Sequence, residues 1–238
     1  MITIGLLVFG LIIGSFLGAL TYRLPRRISI IKGRSFCPSC KAQINWYDNI
    51  PLISYVLLQG KCRDCSSHIS RREPLIELAT GIIFIFVGLN IFNLILASIL
   101  IAIFVIDFEN QIIPDELVFG GILIAVCKLI FTSSFLYPNL LASFLSALIL
   151  LMISLITHGK GMGLGDVKLA LLIGLLVGLK FFLVWLFFSF LIGAVLGLFL
   201  IIIKKAKLRQ RIAFGPFLIF GIAMVLFFGD YFIKLIGL

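Results

Sequence analysis

Eight stretches of this chain are apolar and nearly free of charge: 2–22, 75–89, 91–106, 117–136, 140–157, 167–179, 181–203 and 212–236. A helix needs about 20 mostly apolar residues to cross the roughly 30 Å hydrocarbon core of a bilayer. The second, third and sixth stretches reach that length only if flanking polar residues enter the interface. In lipid a backbone can satisfy its polar groups only as a helix or a closed barrel, and long apolar runs select the helix. The chain is therefore expected to be an all-α polytopic membrane protein with about eight transmembrane helices. Its 238 residues are 62% apolar and 13% charged, against roughly 45–50% and ~25% in soluble domains. These proportions exclude disordered, coiled-coil and disulfide-rich secreted classes.

The net charge of +10 is concentrated, with ten of the twenty Lys/Arg between Arg23 and Arg72. Such local basicity reads as topology and attraction to membrane lipid, and no nucleic-acid partner is expected. No Lys or Arg precedes Arg23, so the first stretch lacks the positive start of a signal peptide and is expected to be retained. The basic segments are the loop 23–73, the loop holding Lys160 with Lys168 just beyond it, and the five cations of 204–211. Placing all three on the cytoplasmic side leaves only Lys180 on the opposite turns. The positive-inside rule then predicts both termini outside the cytoplasm. Three parts are expected: a first transmembrane helix (1–22), a cytoplasmic loop module (23–73) and a seven-helix membrane domain (74–238). No internal repeat stands out.

Four of the five cysteines form two Cys-x-x-Cys pairs, Cys37/Cys40 and Cys62/Cys65. Two such turns each offer two thiolates to one tetrahedral Zn²⁺. A loop of about fifty residues has too little core to fold without a staple of that kind. Four free or redox-active cysteines are the alternative, but a cytoplasmic location, where disulfides are rare, favours the metal. Four thiolates leave no open coordination position, so the zinc is structural. His68 is expected to be a surface residue and Cys127 a small buried hydrophobe.

An Asp at the centre of a span costs roughly 2.5–3.5 kcal/mol, so acids at span ends need a reason. Asp107 closes the third stretch. Asp166, in Gly161-Met-Gly-Leu-Gly165-Asp166-Val-Lys168, opens the sixth. Both then lie at the cytoplasmic membrane edge, where a two-carboxylate hydrolase could be built. In that chemistry an ionised acid takes a proton from water while its protonated partner polarises the scissile carbonyl. The helix N-terminus favours Asp166 as the ionised member, although paired acids titrate as a unit. Gly163 and Gly165 would leave room for an extended peptide beside the acid, with Lys168 in the same motif. Glu109, Asp115 and Glu116 form an acidic rim suited to a basic peptide; Asp115 could equally cap the fourth span. The glycine run lacks the Gly-Lys-Ser/Thr ending and preceding strand of a nucleotide loop. A transporter or channel with a zinc-stapled regulatory loop is the alternative of another class, its acids then forming a cation or proton site. Acids at span ends rather than at the midplane speak against it.

Several segments together resemble one known family. They are Gly14-Ser-Phe-Leu17 with Tyr22-Arg-Leu-Pro25, Arg34-Ser-Phe-Cys37-Pro-Ser-Cys40, Asn49-Ile-Pro-Leu-Ile-Ser-Tyr55, Gly60-Lys-Cys-Arg-Asp-Cys65 and Pro74-Leu-Ile-Glu77. Ile106-Asp107, Ile113-Pro-Asp115, Gly163-Leu-Gly-Asp166-Val-Lys168 and Phe214-Gly-Pro-Phe-Leu218 complete the set. The chain resembles the type IV prepilin peptidases, bifunctional leader peptidases and N-methyltransferases. It departs from their pattern at Gly18, Glu73 and Val118, away from the acids and cysteines. The resemblance implies a membrane aspartic protease of the Gly-x-Gly-Asp kind in the bacterial cytoplasmic (inner) membrane, with Asp107 and Asp166 as its catalytic pair. The implied substrates are prepilin or pseudopilin precursors of type IV pili or type II secretion, cut after a Gly at the end of a short basic leader. The new N-terminal residue would be methylated with S-adenosylmethionine by the cytoplasmic module, where the resemblance points to Gly60, Lys61 and Glu77.

Overall fold

The computed structural model describes residues 1–29, 35–37, 39–132, 136–159, 161–204 and 212–236. Arg34, Pro38, Lys160 and the cations of 205–211, all read above, lie outside these residues. Among the described residues the chain folds as nine α-helices: α1 (Ile2–Arg23), α2 (Ile53–Leu57), α3 (Arg72–Val87), α4 (Ile91–Asn110), α5 (Asp115–Phe131), α6 (Leu136–Ile156), α7 (Leu164–Val177), α8 (Phe182–Ile202) and α9 (Gly215–Ile236). A 3-10 turn over Trp46–Asn49 precedes α2. Each of the eight apolar stretches is a helix, in the expected order. Five of them, α1, α4, α6, α8 and α9, are long and apolar enough to cross a membrane. The chain is an all-helical, multi-pass membrane protein. The third stretch gains its length at its polar end, where α4 continues through Asp107 and Glu109 to Asn110. The helix α7, of 14 residues, stays short.

The chain divides into two compact units, Met1–Ala102 and Ile103–Leu238. In the first, α1 and α3 run antiparallel along a glycine seam at four-residue spacing. A Cβ on Gly10 would stand 2.7 Å from the Gly81 Cα, and one on Gly14 would stand 2.6 Å from the Glu77 Cα. Only hydrogen at these positions allows the two backbones to meet, the usual means by which helices associate where lipid removes the hydrophobic drive. One turn further, a Cβ on Gly18 would overlap the Glu73 carboxylate. Two of the departures from the family pattern thus compensate each other, because Gly18 makes room for Glu73. Arg72 ties this end together, donating to the Gly18 carbonyl (3.1 Å), the Thr21 hydroxyl (2.6 Å) and the Glu73 carboxylate (2.8 Å). Leu6, Phe84, Leu94 and Ala97 form the apolar core beneath it.

In the second unit α7 is the buried centre, with Leu169, Ala170, Leu172 and Ile173 fully enclosed. Lipid-facing helices surround it, which is why it need not itself be long. Its seat is α6: a Cβ on Gly174 would stand 2.6 Å from the Ser143 Cα and 2.8 Å from the Ala142 carbonyl oxygen. Polar side chains of α6 reach across to α7 carbonyls, Ser146 to Ala170 (3.0 Å), Ser143 to Leu171 (2.7 Å) and Asn139 to Leu175 (3.0 Å). The buried Trp185 of α8 donates its indole N–H to the Leu218 carbonyl of α9 at 2.7 Å. Lys180 and Asp230 pair at 2.8 Å where α8 begins and α9 nears its end. The first turn of α9 therefore lies with the first turn of α7 and the last turn of α4.

Candidate active site

That shared end gathers the acids. The last turn of α4 holds Asp107, and the helix stops at Gln111, whose N–H still bonds the Asp107 carbonyl at 2.8 Å while its left-handed backbone (φ 55°) turns the chain out of the helix. The chain then turns through Pro114 into α5. The Asp107 carboxylate is buried and accepts the Gly215 N–H through Oδ2 at 2.9 Å. Gly215 opens α9, where backbone N–H groups have no partner within the helix. Asp166 sits in the first turn of α7, equally buried, and its Oδ2 accepts the Gly163 N–H at 3.1 Å. Ile113 joins the supports of the two carboxyls: a Cβ on Gly165 would stand 3.2 Å from its Cβ, and one on Gly215 would stand 3.4 Å from its Cδ1. Two buried carboxyls, each held by one backbone N–H and with supports that meet at Ile113, are the kind of groups a two-acid hydrolysis requires, one to take a proton from water and one to polarise a carbonyl.

The residues expected around the acids take specific places. Gly163 supplies a hydrogen bond to Asp166. Gly165 is half-buried, with Ile113 packed on the side where a Cβ would project. Lys168 bonds both oxygens of Asp115 at 2.8 Å. Asp115 therefore makes no side-chain cap on α5, which is entered from Pro114, and its charge is matched within the rim. Glu109 and Glu116 are exposed. Within the sequence neither Gly215 nor Ile113 stands out beyond its motif; the one signal for Gly215 is that a helix-opening glycine offers its N–H to an acid.

In the first unit, the four sulfurs of Cys37, Cys40, Cys62 and Cys65 lie within 4.8 Å of one another, and Cys37 and Cys65 are 3.9 Å apart. Tetrahedral bonds of about 2.3 Å to zinc put sulfurs about 3.8 Å apart, so this cage fits the ion. The Cys40 N–H draws the Cys37 thiol down to about 6, and the Ser67 hydroxyl lowers Cys65. Against the lowering pull of the Ala42 N–H, desolvation and the sulfurs of Cys65, Cys37 and Cys62 push Cys40 up to about 12. Four cysteine sulfurs gathered this closely could hold a metal ion.

The two knuckles share one backbone design, offset by 25 residues. Cys37 N–H bonds the Ala42 carbonyl as Cys62 N–H bonds that of Ser67, and Lys41 and Ser66 return to the carbonyls of Cys37 and Cys62. Lys41 and Ser66 are both left-handed (φ 62° and 57°). The repeat escaped the sequence because, aligned at that offset, 35–44 and 60–69 agree only at the two cysteines and at Ile44/Ile69. His68 is exposed and pairs with Lys61 in a single antiparallel bridge. Cys127 is half-buried in α5. Gly60 (φ 68°) lies against the Tyr55 ring. Glu77 is buried and accepts the Leu52 N–H at 2.8 Å, with Ser15 as a second partner.

Two family models match this chain: the bacterial peptidase A24 N-terminal domain over residues 8–91 and the type IV leader peptidase family over residues 94–198. A prepilin leader peptidase/N-methyltransferase of Bacillus subtilis (strain 168) is 35% identical over 233 residues, spanning 94% of each chain. The chain belongs to the type IV leader peptidase family. A relative of the same name from Neisseria gonorrhoeae is 34% identical, over 88% of this chain and 84% of its own. Another, from Pseudomonas aeruginosa, is 29% identical over 94% and 89%. No solved structure matches the chain significantly. The family inferred from the motifs is thereby borne out.

Proposed function

We propose that this protein cleaves the basic leader from type IV prepilin or pseudopilin precursors and methylates the new N-terminal residue. Asp107 and Asp166 are the catalytic acids. The supporting observation is that both are buried carboxyls, from α4 and α7, each on a backbone N–H and with supports that meet at Ile113. The pair shares one proton. The ionised member takes a proton from water as the oxygen attacks the scissile carbonyl carbon, and the protonated member donates to the carbonyl oxygen. The acid that took the water proton then passes it to the amide nitrogen as the C–N bond breaks, and the other acid takes back a hydroxyl proton of the tetrahedral intermediate, leaving a carboxyl product and the pair in its starting state. Gly163 and Gly215 hold the carboxyls in place, and the exposed Glu109 and Glu116 attract the basic leader.

In this reading residues 23–73 form the methyltransferase-associated module, residues 1–22 its leading membrane helix and 74–238 the protease domain. The four cysteines hold a structural zinc, and S-adenosylmethionine is the methyl donor. Glu77 faces inward to Ser15 and Leu52, so its part is to hold α2 rather than to touch the donor. Gly60 and the exposed Lys61 are the module's candidates nearer that chemistry. The protein lies in the bacterial cytoplasmic membrane with acids and module facing the cytoplasm and both termini outside, following the distribution of cations.

The test is co-expression with a precursor and mass spectrometry of its N-terminus. Asp107→Asn and Asp166→Asn are each expected to abolish cleavage while the protein still accumulates in the membrane. Retained cleavage by either variant would overturn the assignment.

A further inference from the structure

The segment between the two cysteine knuckles carries an apolar surface that no packing within its unit explains. Trp46 is 75% exposed, Ile53 57%, Val56 71% and Leu57 77%, with Tyr47 and Ile50 also open. In α2, Ile53, Val56 and Leu57 fall at i, i+3 and i+4, on one face. Patches of this kind mark interaction sites, and the question is what covers this one.

Its position relative to α1 and α3 answers that. The N–H of Leu52, the residue before α2, bonds the Glu77 carboxylate. Glu77 is the residue whose Cα meets Gly14 of α1. Gly14 lies nine residues before the end of α1 at Arg23, about 13 Å along the axis at 1.5 Å per residue. Allowing a few ångström for the Glu77 side chain, the start of α2 stands roughly 10 Å inside the level of Arg23. Leu75 and Leu78 of α3, on either side of Glu77, are exposed apolar side chains at that same level. A short helix hydrogen-bonded there presents three bare aliphatic side chains at the depth of those leucines.

We propose that Trp46, Tyr47, Ile50 and the outer face of α2 form a lipid-inserted patch, seated at the boundary of headgroups and acyl chains of an anionic leaflet. Amphipathic helices at that boundary bury their apolar face about 5–10 Å deep, matching the depth set by Leu52 and Glu77. Trp and Tyr are the side chains enriched there. Charge specifies the lipid: between Arg23 and Glu73 the chain carries ten Lys/Arg against three Asp/Glu, and Arg26, Arg27 and Arg71 are exposed at the adjoining ends of α1 and α3. The patch anchors the segment between the two knuckles.

Trp46 reports on this directly, because the only other tryptophan, Trp185, is fully buried and cancels on subtracting the spectrum of Trp46→Phe. The full-length protein is reconstituted in phosphatidylglycerol vesicles with bromines at the upper acyl carbons. Trp46 emission is expected to fall about twofold relative to unbrominated lipid, while iodide in the buffer quenches it little. In phosphatidylcholine the bromine quenching is expected to weaken. The triple variant Ile53→Ser/Val56→Ser/Leu57→Ser should shift Trp46 toward iodide access, with bound metal retained as the sign of a folded module. Full iodide quenching with no bromine effect in the wild-type protein would overturn the proposal. So would Trp46 emission that depends on protein-to-lipid ratio instead of on bromine, since a second protein copy would then be the cover.

Discussion

Replacing Gly215 by Ala isolates the geometry of the acid pair from the stability of the fold. The added Cβ would stand 2.6 Å from Asp107 Oδ2, where ordinary contact begins at 3.4 Å. Backbone does not have to yield, because the obstructing atom is the end of a side chain that can rotate. The carboxylate must retreat by roughly 0.8 Å and loosen its 2.9 Å bond to the Gly215 N–H, and misplacement of about 1 Å at a reacting group costs about 10²-fold in rate. That loss is equivalent to about 2.7 kcal/mol of activation free energy. Purified wild-type and variant enzymes in the same lipid are to be compared by the initial rate of precursor cleavage at saturating substrate. We expect kcat to fall about 100-fold while thermal unfolding is nearly unchanged. Gly120→Ala, where a Cβ meets nothing within 4 Å, is the control and should cleave normally. Cleavage by Gly215→Ala within about threefold of wild type would show that Asp107 does not need this placement, and the argument from the Gly215 N–H would fail.

Gly174→Ala is expected to act oppositely, on stability first. Its Cβ meets the Ser143 Cα and Ala142 carbonyl, both backbone, so α6 and α7 must separate at a cost of about 1–3 kcal/mol, seen as a lowered unfolding temperature in detergent. Cys62→Ser should reduce bound zinc from about one equivalent per chain and impair methylation while leaving cleavage, as read by metal analysis and product mass. Breaking the Lys168–Asp115 pair with Asp115→Asn should shift stability by no more than about 1 kcal/mol, because both side chains are solvent-exposed and surface pairs contribute little; a thermal melt in matched lipid checks it.

What the sequence made legible were features carried by local pattern. Apolar runs announced the helices, the paired Cys-x-x-Cys turns announced the sulfur cage, and an acid placed at the end of one run and the start of another singled out Asp107 and Asp166 as candidates. Pairings across long separations were illegible. Gly215 reaches Asp107 across 108 residues, and Lys168 reaches Asp115 across 53; periodicity has no memory over such distances, so Asp115 read equally well as a cap or as part of a rim. The close seats fall between. Gly10, Gly14 and Gly18 stand at a spacing that signals helix contact, whereas Gly174 has its counterpart in Ala142, Ser143 and Ser146 of another helix. The knuckle repeat lay hidden because hydrogen bonds and two left-handed turns define it, not residue identity.

With a metal gripping both knuckles, residues 45–59 become a closed ring whose ends are fixed at Ile44 and Gly60. Closing a ring of that size costs entropy once, after which its content is nearly independent of the clasp. Evolution can rewrite such a finger without disturbing what clamps it, much as loops on a rigid scaffold diverge while the scaffold persists. Differences among relatives in what this module touches are therefore expected to accumulate between the cysteine pairs, not beside them.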